Sequence, residues 1–343
     1  GELLNQVSTV FGNLLSAETN DDMQELAKSI MPLLSEHGNN ITLNEKLFAR
    51  IKAVYDQKDQ ANLTPEQNKL LEKVYNSFVR SGANLEGEAK EQYRALSKEL
   101  SLLTLQFGEN NLKETNDYKL VLTDPAQLAG LPQSAIDAAA ETAKEKGVEG
   151  WVFTLQAPSY SPFMTYASNR DLRCKLYMAY NTKCTHDNET NNLEIVKKLV
   201  NTRLAIAQLL GYNSFAEYNL QERMAENSGN VYKLLDQLLD AYTPTAKQEY
   251  AEVEALARQL EGSDFTVMPW DWSYYSHKLK DQKFQIDDEM LRPYFELSKV
   301  KEGVFGLATR LYGITFKKNS DIPVYHKDVD AYEVFDKDGK FLS

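Results

Sequence analysis

The stretch Met268-Pro269-Trp270-Asp271-Trp272-Ser273-Tyr274-Tyr275-Ser276-His277-Lys278-Leu279-Lys280-Asp281-Gln282-Lys283 decides how the chain is read. Pro269 suits the entry to a helix, where its missing N–H is not required. From Asp271 the spacing is helical. Trp272, Tyr275 and Leu279 fall three and four residues apart and so share one face. The plain reading is an amphipathic helix buried among other helices, with Trp272 and Tyr275 in the core and Tyr274 and His277 on other faces.

Helical patterning surrounds this stretch on both sides. Upstream, Asn230 to Leu260 carries Val231, Leu234, Leu235, Leu238, Leu239, Tyr242, Tyr250, Val253 and Leu256 at helical spacing, with Pro244 predicting a kink near Thr243. Asn192 to Leu210 is a helix stopped by Gly211, and Ser214-x-x-Glu217 reads as a capping box. Further back, helices are predicted at residues 3–15, at Asn20–His37 with Gly38 as the stop, and from Thr42-x-x-Glu45, a capping box. Another helix begins at Thr64-Pro65. The long helix Glu86–Asn111 carries a seam of Ala89, Tyr93, Leu96, Leu100, Leu103 and Phe107. Its expected partner is the preceding helix with Leu70, Leu71, Val74 and Phe78, giving an antiparallel hairpin. Tyr118–Leu122 and Trp151–Leu155 read as strands, Leu131–Lys146 as a helix, and Ser161-Pro162 and Asn169 as two more helix starts.

Downstream, Ser298–Leu311 is a helix ended by Gly313, after which the period changes. Ile314–Phe316 and Ala331–Phe335 read as strands, and Asp338-Gly339 as a hairpin turn. Lys340-Phe341-Leu342 begins a returning strand at the last residues of the chain. Tyr332–Phe335 is therefore expected to present an unpaired edge and to drive self-association. The broken hairpin and the uncapped first helix are both expected marks of a chain cut from something longer.

Composition narrows the class. A net charge of −12, from 50 acidic and 38 basic residues, argues against nucleic acid, whose phosphates would be repelled. No apolar run approaches the roughly 20 residues that span a bilayer. The chain starts at Gly1-Glu2-Leu3, so a targeting signal, if the protein has one, is expected upstream. Cys174 and Cys184, if carried on one helix, would lie about 15 Å apart along its axis. A disulfide requires Cα atoms within roughly 7 Å, so both are expected as free thiols.

Local chemistry is sparse. A helical zinc site needs two histidines four residues apart, and His37, His186, His277 and His326 offer no such pair. Cys184-x-His186-x-x-Glu189 is the only local cluster of ligand-type residues, and its polar surroundings read as an exposed loop. Asp328, Asp330, Asp336 and Asp338 lack calcium-loop spacing and read as solvated turn acids. Glu249, Glu252 and Glu254 read as a charged outer helix face. No nucleophile elbow or phosphate-binding glycine loop is present.

The ordered set of segments resembles the thimet-oligopeptidase and peptidyl-dipeptidase family of zinc metallopeptidases, most of all its bacterial peptidyl-dipeptidase branch. The similarity is densest from Val267 to Ser343. Besides the opening stretch it includes Asp287-Asp288-Glu289, Leu291-Arg292-Pro293-Tyr294-Phe295, Leu311-Tyr312-Gly313-Ile314-Thr315-Phe316 and Val324-Tyr325-His326-Lys327-Asp328-Val329. Further back it takes in Thr202-Arg203-Leu204-Ala205, Arg223-Met224-Ala225 and Leu47-Phe48-Ala49-Arg50-Ile51-Lys52. The family's His-Glu-x-x-His and later zinc-binding Glu have no counterpart here.

The resemblance implies a mostly α, multi-helix body forming part of a zincin-type oligopeptidase, with a small β element at its C-terminal end. Residues 1–190 would be a helical N-terminal region and 191–343 a central helical region, with the catalytic domain beyond 343. In the family two helical halves flank a deep channel that admits short peptides and excludes folded chains. There the Glu between the zinc-binding histidines acts as general base toward the metal-bound water. No catalytic and no metal-binding residue is carried over to this chain, and Tyr274 and His277 are the expected channel-wall residues. The implied cofactor is zinc in the parent enzyme, with none expected in this chain. The implied partners are short peptides, with neither nucleic acid nor membrane, and the implied location is cytoplasmic. The rival reading is a non-enzymatic helical interaction module, which leaves the uncapped start and broken hairpin unexplained.

Overall fold

A computed structural model of the chain describes residues 1–285 and 288–343, so Asp287 of the Asp287-Asp288-Glu289 segment lies outside the described residues. These residues pack as two compact units, one of Glu25–Tyr275 and one of Gly1–Gln24 with Ser276–Ser343. Helices dominate, as the periodicity predicts: among the described residues there are fourteen α-helices and two antiparallel strand pairs.

The chain opens with α1 (Glu2–Ala17) and α2 (Asp21–Thr42). Gly38 does not stop α2. The helix runs on for another turn, and Leu43, just past its end, enters the core beside Tyr93 and Ile206. Thr42 is not the next cap either, because its hydroxyl donates back to the Gly38 carbonyl at 3.1 Å. Asn44 caps α3 (Glu45–Asp56) instead, accepting from the Leu47 N–H at 2.9 Å. α4 (Pro65–Arg80) begins as its sequence predicts. Thr64 Oγ1 accepts from the Gln67 N–H at 3.3 Å, and Gln67 Oε1 accepts from the Thr64 N–H at 3.0 Å.

After α5 (Gly87–Asp117) comes a substructure with its own core. β1 (Leu120–Leu122) pairs antiparallel with β2 (Trp151–Phe153), aligning Leu120 with Phe153 and Leu122 with Trp151. Between and after them lie α6 (Gln133–Glu145), α7 (Ala157–Tyr166) and α8 (Arg170–Asn181). Leu120, Leu122, Phe153, Leu155, Phe163 and Leu176 fill the space these elements enclose. Ser161-Pro162 lies inside α7 rather than opening it. The helix starts upstream, where the Gln156 carbonyl accepts from Ser159 and Tyr160 at 2.9 and 2.8 Å.

α9 (Leu193–Leu209) then returns along α5. This pairing replaces the expected α4–α5 hairpin. α4 spends its apolar face on α3, where the Tyr75 ring stacks on Tyr55 at 3.8 Å and on Phe48 at 5.8 Å. The α5 seam meets α9 instead: Leu103 packs with Ile195 and Leu199, and Tyr93 with Ile206. The Cys184–Asn192 connection is exposed at residues 185–189, as expected, but is pinned at both ends. Glu114 of α5 accepts from the Cys184 N–H at 2.7 Å and the Thr190 hydroxyl at 2.9 Å, and Asn192 donates to the Phe107 carbonyl at 3.1 Å. Cys184 is consequently buried, and both cysteines are free thiols. α10 (Phe215–Leu220) is capped by Ser214, and α11 (Ser228–Glu261) is a single helix with Pro244 inside it.

The unit boundary falls within α12 (Trp272–Phe284), between Tyr275 and Ser276. α13 (Asp288–Leu291) and α14 (Leu297–Tyr312) follow, and Gly313 ends α14 in the left-handed region at φ +71°. β3 (Thr315–Lys318) pairs antiparallel with β4 (Tyr332–Phe335). β4 is not the unpaired edge expected of it. Asp336 Oδ1 accepts from the Asp338 and Lys340 N–H groups at 2.9 and 2.8 Å, turning the chain back. The returning residues then bond its other side, Leu342 N–H to the Val334 carbonyl at 2.8 Å and Val334 N–H to that of Ser343 at 2.7 Å.

Candidate functional site

The turn before α12 is held by a buried carboxylate. Pro269–Asp271 form one turn of 3-10 helix, closed by the Asp271 N–H donating to the Met268 carbonyl at 2.8 Å. Asp271 reaches back and accepts from the Met268 N–H at 3.0 Å. Two arginines from the first turn of α8 meet it. Asn169 caps that helix, accepting from the Leu172 N–H at 3.1 Å, and so fixes where Arg170 and Arg173 point. Arg170 grips both carboxylate oxygens, with Nη2 to Oδ2 at 2.7 Å and Nε at 3.1 and 3.2 Å. Arg173 Nη2 donates to Oδ1 at 2.9 Å.

Asp271 and Arg173 are both fully buried. Arg173 also donates to the carbonyls of Ala167, Ser168 and Trp270 at 2.8, 3.2 and 3.3 Å. Its guanidinium lies 4.1 Å from the centre of the Tyr274 ring, and that of Arg170 lies 4.3 Å from Phe265. Burial works to raise the Asp271 carboxyl. The hydrogen bonds from Arg170, Met268 and Arg173 outweigh it and hold the group below the ordinary carboxylate range. Burial and a 2.9 Å hydrogen bond to Glu261 push the Tyr275 hydroxyl up. With its oxygens already taken by five hydrogen bonds, Asp271 is equipped to brace α12 against α8 rather than to act as a base.

The opening stretch is therefore core only in part. Tyr275 is buried as expected, at 2% exposure, whereas Trp272 is 40% exposed. The inward place at the start of α12 belongs to Asp271 and its arginines. Trp272 turns outward and stacks on Tyr250, rings 5.8 Å apart and 7° from parallel, beside Val267, Met268 and Pro269. Tyr274 is buried beneath Arg173. His277 is mostly buried, with Nε2 3.2 Å from Asp281 Oδ2. The Asp271–Arg170–Arg173 group was not singled out from sequence. Its signal is a lone Asp between two tryptophans, together with two arginines three apart just after a capping Asn.

Among the described residues no group of three or more His, Cys, Asp or Glu side chains could hold a metal ion. His186 lies 3.8 Å from Glu114 and His326 lies 3.7 Å from Asp328, each beside a single carboxylate. No described helix is long and apolar enough to cross a membrane.

Comparison with known proteins supplies the wider frame. The chain is 36% identical over 345 residues to a dipeptidyl carboxypeptidase of Escherichia coli K12, an alignment covering 100% of this chain and 50% of that protein. It is 34% identical over 343 residues to oligopeptidase A of the same organism, covering 99% and 50%. It is 31% identical over 350 residues to a probable cytosolic oligopeptidase A of Arabidopsis thaliana, covering 98% and 50%. The chain thus spans about half the length of the curated relatives it matches. The profile of peptidase family M3 matches residues 163–343, a span that takes in the Arg170–Arg173–Asp271 brace, all of α12 and both strands of the last sheet; the chain belongs to that family.

Proposed function

We propose that the protein of which this chain is a part is a zinc-dependent peptidase acting on short peptides, and that this chain forms part of the channel wall rather than supplying the reacting groups. The observation that carries the reading is the end-to-end match to proteins named for cleaving peptides. It is supported by the described residues, among which no group of three or more His, Cys, Asp or Glu could hold a metal ion, while Asp271 is engaged by Arg173 and His277 by Asp281. The zinc ligands and the general base then belong to the half of the family's length that this chain does not span. Tyr274 and His277 are the proposed channel-wall residues, both on α12. A cytoplasmic location belongs to the same reading, in keeping with the cytosolic Arabidopsis relative.

The test is a quenched fluorescent peptide incubated with the full-length gene product and with the 343-residue chain, each with and without chelator. The expected result is chelator-sensitive cleavage by the full-length product alone. No cleavage by the full-length product overturns the activity. Stoichiometric zinc and chelator-sensitive cleavage by the 343-residue chain overturn the division of roles.

A further inference from the structure

The 34 residues of α11 form a helix about 51 Å long. One stripe of it is apolar from end to end, stepping by three and four through Tyr232, Leu235, Leu239, Tyr242, Ala246, Tyr250, Val253 and Ala257. At the C-terminal end the stripe is core: Val253, Leu256 and Ala257 are 3, 8 and 0% exposed. At the N-terminal end the same stripe is bare, with Tyr232, Leu235, Leu239 and Tyr242 at 65, 51, 64 and 65%. Among the described residues, no α11 side chain ahead of Val253 is buried. The opposite face carries Lys233, Asp236, Gln237 and Asp240, so this end of α11 has a face made for water and another made for burial.

We infer that the bare stripe from Tyr232 to Tyr242 is an interface for the other half of the same polypeptide, the half present in the M3 relatives and not in this chain. Two observations select that occupant. The bare stripe continues a face that the chain itself already buries, so the covering surface extends an interface instead of starting a separate one. The chain aligns over its whole length with only half of each relative, which leaves a comparable length of polypeptide to be placed. Isolated exposed leucines need no explanation. A stripe of two tyrosines and two leucines over about three turns of a single helix marks a surface that is covered in the working protein.

The inference rests on family membership and on burial, not on peptide cleavage, so its test reads no activity. Hydrogen–deuterium exchange is followed by peptide in the 343-residue chain and in the full-length gene product. The expected result is exchange at least about tenfold slower at residues 232–246 in the full-length product, with residues 251–258 alike in both. Leu235→Asp combined with Leu239→Asp is expected to leave the melting of the 343-residue chain unchanged and to abolish the extra protection in the full-length product. Equal exchange at 232–246 in the two proteins overturns the inference. Protection that appears in the 343-residue chain alone and grows with its concentration assigns the stripe to a second copy and overturns it too. A gene product that ends at Ser343 does the same.

Discussion

Replacing Asp271 by Asn tests the brace between α8 and α12 most sharply, because the change keeps the shape and removes the charge. Each carboxylate oxygen accepts from at least two donors: Oδ1 from Arg170 and Arg173, and Oδ2 from Arg170 and the Met268 N–H. Asn offers one oxygen and one NH2, so in either orientation one set of donors faces another donor. Arg173 is left as a fully buried cation without its counter-charge. Removing one partner of a buried pair costs about 3–5 kcal/mol. Arg170 is partly exposed and rehydrates, so it adds little to that loss. Urea unfolding of the 343-residue chain, followed by tryptophan fluorescence, is expected to show a loss of this size in the transition of the unit that contains Trp270. Arg173→Met breaks the same buried pair from the other side and leaves the carbonyls of Ala167, Ser168 and Trp270 unpaired, so it should likewise cost about 3–5 kcal/mol. The double variant should be less destabilised than the sum of the two. The Asp271 carboxyl is lowered in the folded protein, so its contribution is complete above the unfolded carboxylate pKa of about 3.9 and is lost as pH falls through the folded value. The Asn variant should lack that acid-side loss. A cost below about 1 kcal/mol for Asp271→Asn, or strict additivity with Arg173→Met, would refute the reasoning.

Three further outcomes are expected. Gly150 stands at φ +96°, and a Cβ there would meet the Leu122 carbonyl oxygen at 2.2 Å; Gly150→Ala should therefore destabilise the β1–β2 pair by on the order of 2 kcal/mol or more, read from thermal unfolding. Burial first, then the neighbouring Glu114 carboxylate, push the Cys184 thiol up to about 11; iodoacetamide at pH 8 should label Cys174 well before Cys184, as peptide mass mapping would show. Hydrogen bonds from Lys318 and Lys301 lower the Asp330 carboxyl to about 2; an NMR titration should find it protonating below the ordinary carboxylate range, and Lys318→Ala should return it toward that range.

Much of the helical architecture is legible from periodicity, because a helix buries a stripe whose spacing is written in consecutive residues. Thr64-Pro65 and Asn169 announce their helices for a similar local reason, since each cap closes within three residues. Partner choice is not local. The seam of α5 reads correctly as a seam, yet nothing near it reveals that α3 has already taken the face of α4 and that α9 is the true neighbour. Gly38 carries the signature of a stop, and burial of Leu43 one turn later overrides it. Trp272 fails for another reason. Aromatic character argues for the interior, but the interior position went to a charged residue whose two arginines lie about a hundred positions away in sequence. The family resemblance survives these errors because it rests on the order of segments and not on their contacts.

The link between α5 and α9 has a consequence for how the chain folds. The chain leaves α5 near Asp117 and returns beside it at Cys184, where Glu114 binds both Cys184 and Thr190. Everything between, from β1 to α8, closes on a core of its own. Formed first, that subassembly turns a long floating connection into a short one and brings the ends of two distant helices within reach, so their pairing starts with most of its loop-closure entropy already spent. The order of events would then be nested, with the inner piece maturing early and the outer helices zipping from the Glu114 end toward Tyr93 and Ile206.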